Sequence, residues 1–161
     1  MSLDWTMILQ DTANNLKKEL DQRFPTANAA LRKSQHIYKE LLPYQAVALY
    51  GLAQRFNVTG AQILEIGTLV GYSASIMAQA APKANIETLN YKIYEMALAR
   101  AALLSYRNVK LLEVVSWDYL AIYQGPELDF IFVDGNHNLV LDSGDGSPVS
   151  ASHIHGVYPY P

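Results

Sequence analysis

The apolar positions of the chain fall into two alternating patterns, one typical of buried strands and one typical of helices. Short apolar runs predict β-strands at residues 62–66, 85–89, 109–115 and 128–133. Helical patterns separate these runs, at residues 72–81, 93–104 and 117–123. Strands that alternate with helices are typical of parallel βαβ units with right-handed crossovers. The pattern therefore predicts an α/β fold built on a doubly wound parallel sheet of about four strands.

The first part of the chain carries helical patterns only. An amphipathic helix is predicted over residues 4–22, where apolar side chains recur at helical intervals, at Trp5, Leu9, Leu16 and Leu20. Another helix is predicted over residues 44–56, directly after Pro43, because proline suits the first turn of a helix. Between them, residues 29–34 fit either a short helix or a surface connector. We therefore predict that residues 1–60 are N-terminal helices that pack on the sheet.

The last part of the chain, residues 139–161, has a different composition. It holds three glycines, three prolines and four serines, and only residues 139–141 and 154–158 have a strand-like composition. We therefore predict a core over residues 61–138, followed by an irregular Gly/Ser/Pro-rich tail. The sheet would then be incomplete, and its fourth strand would be an exposed edge. Because an exposed edge invites pairing with another chain, the sequence predicts a homo-oligomer formed through it.

Composition and charge narrow the classes of function. Half of the 161 residues are hydrophobic, which suffices for the core of a single domain. The absence of cysteine excludes disulfides and thiolate chemistry. A net charge of −3 weighs against a nucleic acid partner, although all 12 Lys and Arg residues lie at or before Lys110. No apolar run is long enough for a bilayer span or a signal-peptide core, so we predict no membrane contact and a cytoplasmic location.

The strongest candidate for a functional site is the loop that joins the first predicted strand to the next helix. Glu65 ends the strand, and Gly67 and Gly71 follow it at a spacing of four. Glycine lets a ligand approach the backbone, and a helix N-terminus offers unpaired N–H groups to it. The Glu65 carboxylate is suited to an amino group of the ligand, or to the amides of its own loop. Hydroxyl groups near the helix start come from Thr68, Tyr72 and Ser73.

This spacing differs from the dinucleotide fingerprint G-x-G-x-x-G. A loop of the form E-x-G-x-x-x-G has no pyrophosphate cradle, so it suits a ligand made of an amino acid and a nucleoside. The alternative is an ordinary strand-to-helix turn in which the two glycines serve only the backbone. The sequence by itself leaves both interpretations open.

Two stretches resemble a known family. LEIGTLVGYS, residues 64–73, resembles the first motif of the class I S-adenosylmethionine-dependent methyltransferases, and in particular of the small O-methyltransferases of the catechol and caffeoyl-CoA type. LDFIFVDG, residues 128–135, is similar to a later strand of the same family. The resemblance implies a Rossmann-like sheet with leading helices, S-adenosylmethionine as cofactor, and methyl transfer to a hydroxyl of a small-molecule acceptor.

The same resemblance implies positions for the nucleoside of the cofactor. The ribose hydroxyls fall at the end of the second strand, on Asn90, where the family usually has an acid; a helix cap is the alternative role of this residue. The adenine falls after the third strand, on Ser116 and Trp117, and simple packing is the alternative there. An asparagine in place of an acid predicts weaker binding of the nucleoside.

The acceptor side of the site is predicted after the fourth strand. The resemblance implies that Asp134 faces the reacting methyl group and contributes to a divalent cation site, such as one for magnesium, although the Asp-Asn pair that completes such a site has no counterpart in residues 139–161. His137 is the candidate general base, and a histidine that only bonds backbone is the alternative. Because the family continues with further elements, a truncated protein that binds the cofactor or self-associates without catalysis is the alternative function.

Overall fold

The computed structural model describes residues 14–16, 18–19, 22–39, 41–135, 140–142, 148–150 and 157–158. Helical residues at 14–16, 18–19 and 22–23 lie in or next to the segment predicted as the first helix. No helix among the described residues is long and apolar enough to cross a membrane.

Two helices precede the sheet, α1 (Ala27–Lys33) and α2 (Pro43–Gln54). Pro43 occupies the start of α2, as expected, and the side chain of Gln45 caps the helix by accepting a hydrogen bond from the Leu42 amide at 2.8 Å. Tyr50 on α2 donates a hydrogen bond to the hydroxyl of Thr26 at 2.9 Å, just before α1. Helix α1 shows that residues 29–33, for which the sequence allowed a helix or a surface connector, are helical.

The sheet alternates with helices along the chain, as the sequence predicts. Its parallel strands are β1 (Gln62–Ile66), β2 (Asn85–Asn90), β3 (Val109–Glu113) and β4 (Phe130–Val133). The connecting helices are α3 (Tyr72–Ala80), α4 (Ile93–Leu103) and α5 (Ser116–Ala121). The four strands lie in the order β3-β2-β1-β4, which is a Rossmann-like arrangement and confirms the predicted fold class.

The fourth strand is not the free edge that the sequence predicts. Strand β5 (Val140–Asp142) pairs with β6 (Pro148–Ser150), and β7 (Val157–Tyr158) pairs antiparallel with β4. The prediction of an exposed β4 edge is therefore wrong, whereas β5 and β7 overlap the two stretches of the tail that have a strand-like composition. The physical reason is that an edge strand leaves backbone N–H and C=O groups unpaired, and the backbone of β7 supplies partners beside Ile131 and Phe132.

The main hydrophobic core lies between the sheet and helices α2 and α3. Its largest fully buried side chains include Ile63 on β1, Ile76 and Met77 on α3, and Ile86 on β2. The hydroxyls of Ser75 on α3 and Ser34 are hydrogen-bonded to each other at 2.7 Å, which joins the leading helices to this layer. Because the strands are parallel, their carboxyl ends meet at one edge of the sheet, and the candidate site is built there.

Candidate functional site

The loop between β1 and α3 depends on Gly67. Its φ angle is +104°, and a Cβ at this position would overlap the backbone carbonyl of Asp134. The amides of Gly67 and Thr68 both donate to the carbonyl of Leu89 at 3.1 Å, at the end of β2. The loop therefore lies against the ends of β2 and β4, and only glycine allows an approach this close.

The start of helix α3 is buried beside the cleft-forming loop and has no side-chain cap. Its N-cap residue is Gly71, with φ +93°, and no side chain caps the helix. Leu69, two residues earlier, also has a positive φ of 47°, which is uncommon for a residue with a branched side chain and was not anticipated from the sequence. An uncapped N-terminus next to a loop held in this conformation offers backbone N–H groups to a negatively charged group.

Glu65 lies beneath this loop and is fully buried. The hydroxyl of Thr88 donates a hydrogen bond to its Oε2 atom, and because that hydroxyl has one proton, it accepts its other hydrogen bond from the hydroxyl of Thr68. Among the described residues, Oε1 of Glu65 has no hydrogen-bond partner. One carboxylate oxygen is therefore satisfied by the protein, and the other is not.

Burial raises the pKa of Glu65 from 4.5 to about 7. Ser73 and Thr88 act in the opposite direction through their hydroxyls, and the negative charge of Asp134 adds to the increase. The carboxyl group is consequently poised between its neutral and ionised forms near neutral pH. A cation brought next to it would favour the ionised form.

A small cleft opens at the same place, with a volume of about 20 Å³. It is lined by Tyr38, Leu41, Gly67, Thr68, Leu69, Val70, Tyr72, Ser73 and Asp134. This volume is enough for about one water molecule. The cleft brings together five of the residues that the sequence predicts for the site, from the loop, the start of α3 and the end of β4. Glu65 lies below it, close enough to Ser73 and Asp134 for both to affect its pKa.

Asn90 lies at the predicted edge, but its side chain is committed to the protein. Its Oδ1 atom accepts hydrogen bonds from the amides of Tyr91 at 2.8 Å and Lys92 at 3.3 Å. Its Nδ2 atom donates to the carbonyl of Leu69 at 3.2 Å and to Glu95 Oε2 at 2.9 Å. An asparagine side chain offers two acceptor positions and two donors, so all four are in use. Its role as a ribose ligand stays a prediction.

Glu95 was not anticipated from the sequence as a site residue. It lies in the first turn of α4, and 5% of its side chain is exposed. The signal that would have found it is an acid close to the end of β2, at a helix start where acids are common for other reasons. Its hydrogen bond with Asn90, which only the structure shows, places its carboxylate at the end of β2.

The predicted adenine residues lie at the end of the neighbouring strand. Ser116 begins α5 and is half-buried, whereas 80% of Trp117 is exposed. Further exposed apolar side chains follow the ends of β2 and β3, at Tyr91, Ile93, Tyr94 and Val115. Because β2 and β3 pair up to Asn90 and Glu113, these two groups of side chains follow adjacent strand ends. Both groups therefore lie at the same edge of the sheet as the β1–α3 loop.

The predicted acceptor side is described only in part. Asp134 lines the cleft, and its amide donates to the carbonyl of Ile66 at 2.8 Å, whereas His137 lies outside the described residues. Within the part of the chain that the structure describes, no group of three or more His, Cys, Asp or Glu residues is placed to hold a metal ion. The contribution of Asp134 to a divalent cation site therefore stays a prediction.

Comparison with known proteins identifies the fold. No family model and no curated protein sequence matches the chain. Among solved structures, cofactor-bound Rv0187 from MTB is 26% identical, with a TM-score of 0.57 over 75% of this chain and 60% of that one. A putative O-methyltransferase from Klebsiella pneumoniae is 25% identical, with a TM-score of 0.58 over 78% and 62%. The S-adenosylhomocysteine-bound Podospora anserina methyltransferase PaMTH1 is 23% identical, with a TM-score of 0.61 over 86% and 61%. The chain thus spans about 60% of the length of these structures.

Proposed function

We propose that this chain, which has the fold of the class I methyltransferases, binds S-adenosylmethionine at the β1–α3 loop and supports methyl transfer to a hydroxyl of a small molecule. One observation carries the proposal, the Oε1 atom of Glu65, which is buried without a partner among the described residues. Leaving a buried carboxylate oxygen unpaired is costly. The ammonium group in the amino acid part of the cofactor is a donor of the matching charge.

Other residues around the loop fit the remaining parts of this cofactor. The uncapped N-terminus of α3, at Gly71 to Ser73, suits its carboxylate, and Thr68 and Tyr72 add hydroxyl groups beside it. The exposed ring of Trp117 offers a face for the adenine, and Ser116 offers a hydroxyl for its edge. When bound, S-adenosylmethionine supplies a methyl group on a positively charged sulfur. The protein contributes chiefly by positioning and by electrostatics.

The acceptor side rests on Asp134 and His137. Asp134 is at the cleft, where a carboxylate can accept the proton of an acceptor hydroxyl or bind a divalent cation such as magnesium. His137 would serve as the general base if it lies beside the acceptor. We also propose residues 61–138 as the cofactor-binding core, residues 1–60 as helices packed on it, and a cytoplasmic location. Homo-oligomers stay a prediction without structural support, because β7 pairs with the β4 edge from which they were inferred.

A second candidate function is binding of the cofactor without catalysis. The chain spans about 60% of the solved structures that it matches, and His137 of the predicted acceptor side lies outside the described residues. A protein that binds the cofactor without transferring its methyl group would need the loop at Glu65 and nothing beyond it. Cofactor binding is therefore common to both functions, and catalysis separates them.

Calorimetric titration with S-adenosylhomocysteine tests the shared part. We expect saturable binding, and the variant Glu65→Gln is expected to bind roughly 10-fold or more weakly because the charge opposite the ammonium group is lost. If the unmodified protein gives neither heat nor a thermal shift at millimolar ligand, the proposal is wrong. Transfer of a radiolabelled methyl group to a panel of catechols, with and without magnesium, then separates the enzyme from the non-catalytic binder.

A further inference from the structure

Asn90 and Glu95 contact each other near the end of β2 and differ in what they can offer to a ligand. Asn90, at the strand end itself, has no hydrogen-bonding capacity left for a ligand, because all four of its positions are used inside the protein. Glu95 contacts it from the first turn of α4. The carboxylate next to the end of β2 is therefore that of Glu95, which is part of helix α4 and not of the strand.

The two oxygens of Glu95 have different surroundings. Oε2 accepts from Asn90 Nδ2, which is buried. Oε1 accepts from the hydroxyl of Tyr94 at 2.8 Å and from Nζ of Lys92 at 3.1 Å. Tyr94 is 66% exposed and the side chain of Lys92 is 40% exposed, so both donors on Oε1 come from the surface. A hydroxyl group arriving from solvent can replace either of them at the same oxygen.

The charge of Glu95 is maintained in this environment. Burial acts to raise its pKa, but hydrogen bonds from Asn90, Tyr94 and Lys92, together with the charge of Lys92, outweigh burial and lower the pKa overall. An ionised carboxylate accepts hydrogen bonds about twice as strongly as a neutral acceptor. A vicinal diol, with two hydroxyl donors, is a suitable partner for such a group.

We propose that Glu95, through Oε1, is the carboxylate that binds the ribose hydroxyls of the nucleoside, and that Asn90 positions it. This inference rests on the proposed binding of S-adenosylmethionine and names the residue that selects a ribonucleoside over a deoxyribonucleoside. The contact also explains why asparagine stands at the strand end. An aspartate at position 90 would place a second carboxylate beside Glu95 and lose the donor to the Leu69 carbonyl.

The test compares two ligands in one assay. S-adenosylhomocysteine and its 2′-deoxyribose analogue are titrated calorimetrically into the whole chain, the Glu95→Gln variant, and Glu113→Gln as the matched control. Glu113 is an exposed acid opposite Asn90 at the end of β3, so its replacement makes the same change of charge nearby. In the unmodified chain and in the control, we expect the ribose ligand to bind roughly 10- to 100-fold more tightly than the analogue. In Glu95→Gln this ratio should fall to about 3-fold or less.

The Tyr94→Phe variant keeps the test valid if Glu95→Gln fails to fold. Removing this surface donor frees a position on Oε1, so the ribose ligand should bind a few-fold more tightly, whereas binding of the deoxyribose analogue should not change. If Glu95→Gln weakens both ligands equally and Tyr94→Phe leaves their ratio unchanged, Glu95 acts only on the loop and the inference is wrong. If the unmodified chain binds the two ligands with equal affinity, the inference fails while the proposed function stands. If it binds neither, both fail.

Discussion

Glu65 and Thr88 stand opposite each other on the neighbouring parallel strands β1 and β2, and the Thr88 hydroxyl donates a hydrogen bond to Glu65 Oε2. The register of the sheet thus supplies a partner to one oxygen of a fully buried carboxylate and leaves Oε1 without one among the described residues. Burying a carboxylate oxygen without a hydrogen bond is unfavourable, and this oxygen lies beneath the loop. A positively charged ligand group can pair with this oxygen. The first two predictions below concern Glu65, and the third concerns the loop above it.

The first prediction concerns stability and pH. The pKa of Glu65 rises from 4.5 to about 7 on folding, so between these values the folded state binds more protons than the unfolded state. The contribution of Glu65 to stability should therefore be largest at and below about pH 4.5 and fall as pH rises through 7, by about 3 kcal/mol in total at 1.36 kcal/mol per pKa unit. Glu65→Gln should lose this component. Urea unfolding at several pH values measures it as the difference between the variant and the unmodified protein, with Glu113→Gln retaining the slope. A difference that does not change with pH would contradict the assigned environment of Glu65.

The second prediction concerns protons released on binding. With its pKa at about 7, Glu65 is partly protonated at neutral pH, and an ammonium group placed beside Oε1 favours its ionised form. Binding of S-adenosylhomocysteine near pH 7 should therefore release about half a proton per ligand. Calorimetric enthalpies in phosphate and in Tris, which differ in ionisation enthalpy, measure this number. Glu65→Gln should release none, and equal release from both proteins would assign the proton to another group.

The third prediction concerns the backbone of the loop. Gly67→Ala should destabilise the protein through both its positive φ and the overlap of the new Cβ with the Asp134 carbonyl. Gly60→Ala is the matched control, because Gly60 also has a positive φ, +91°, but no atom lies within 4 Å of its added Cβ. We expect the Gly67 variant to lose about 1–3 kcal/mol more than the control in chemical unfolding. Equal losses would mean that the loop can move away from the end of β4.

The fourth prediction concerns the exposed ring of Trp117. Because 80% of this residue is exposed, Trp117→Ala should leave the unfolding temperature nearly unchanged. Its affinity for S-adenosylhomocysteine should fall by about 1–3 kcal/mol, the range for stacking of a base on an aromatic ring. Ile122→Ala, which removes another exposed apolar side chain just after α5, should not affect binding. Unchanged affinity in the Trp117 variant would place the adenine elsewhere.

Local patterns in the sequence were sufficient for most of the architecture. Strand β1 and helix α4 lie within one residue of the predicted boundaries, because apolar periodicity depends on neighbours within a few positions. The grouping of Glu65, Gly67 and Asp134 at one edge also followed from the sequence, since parallel strands present their carboxyl ends together. The sequence indicated a strand-like composition at residues 154–158, but not the pairing of β7 with β4, because that pairing depends on where a distant segment returns.

The roles of individual side chains were decided by the tertiary structure. By itself, the sequence determined that an acid, two glycines and a helix start form one loop at the sheet edge, and it left open whether this loop serves a ligand or only the backbone. It could not determine that Thr88 would satisfy one oxygen of Glu65, or that Asn90 would be fully occupied by the protein while Glu95 presents a carboxylate beside it. The reason is physical: the order of strands and helices follows from short-range patterns, whereas the partner of each polar atom depends on three-dimensional placement. Thr88 meets Glu65 through the register of two strands, and Glu95 meets Asn90 through the path of the turn between β2 and α4.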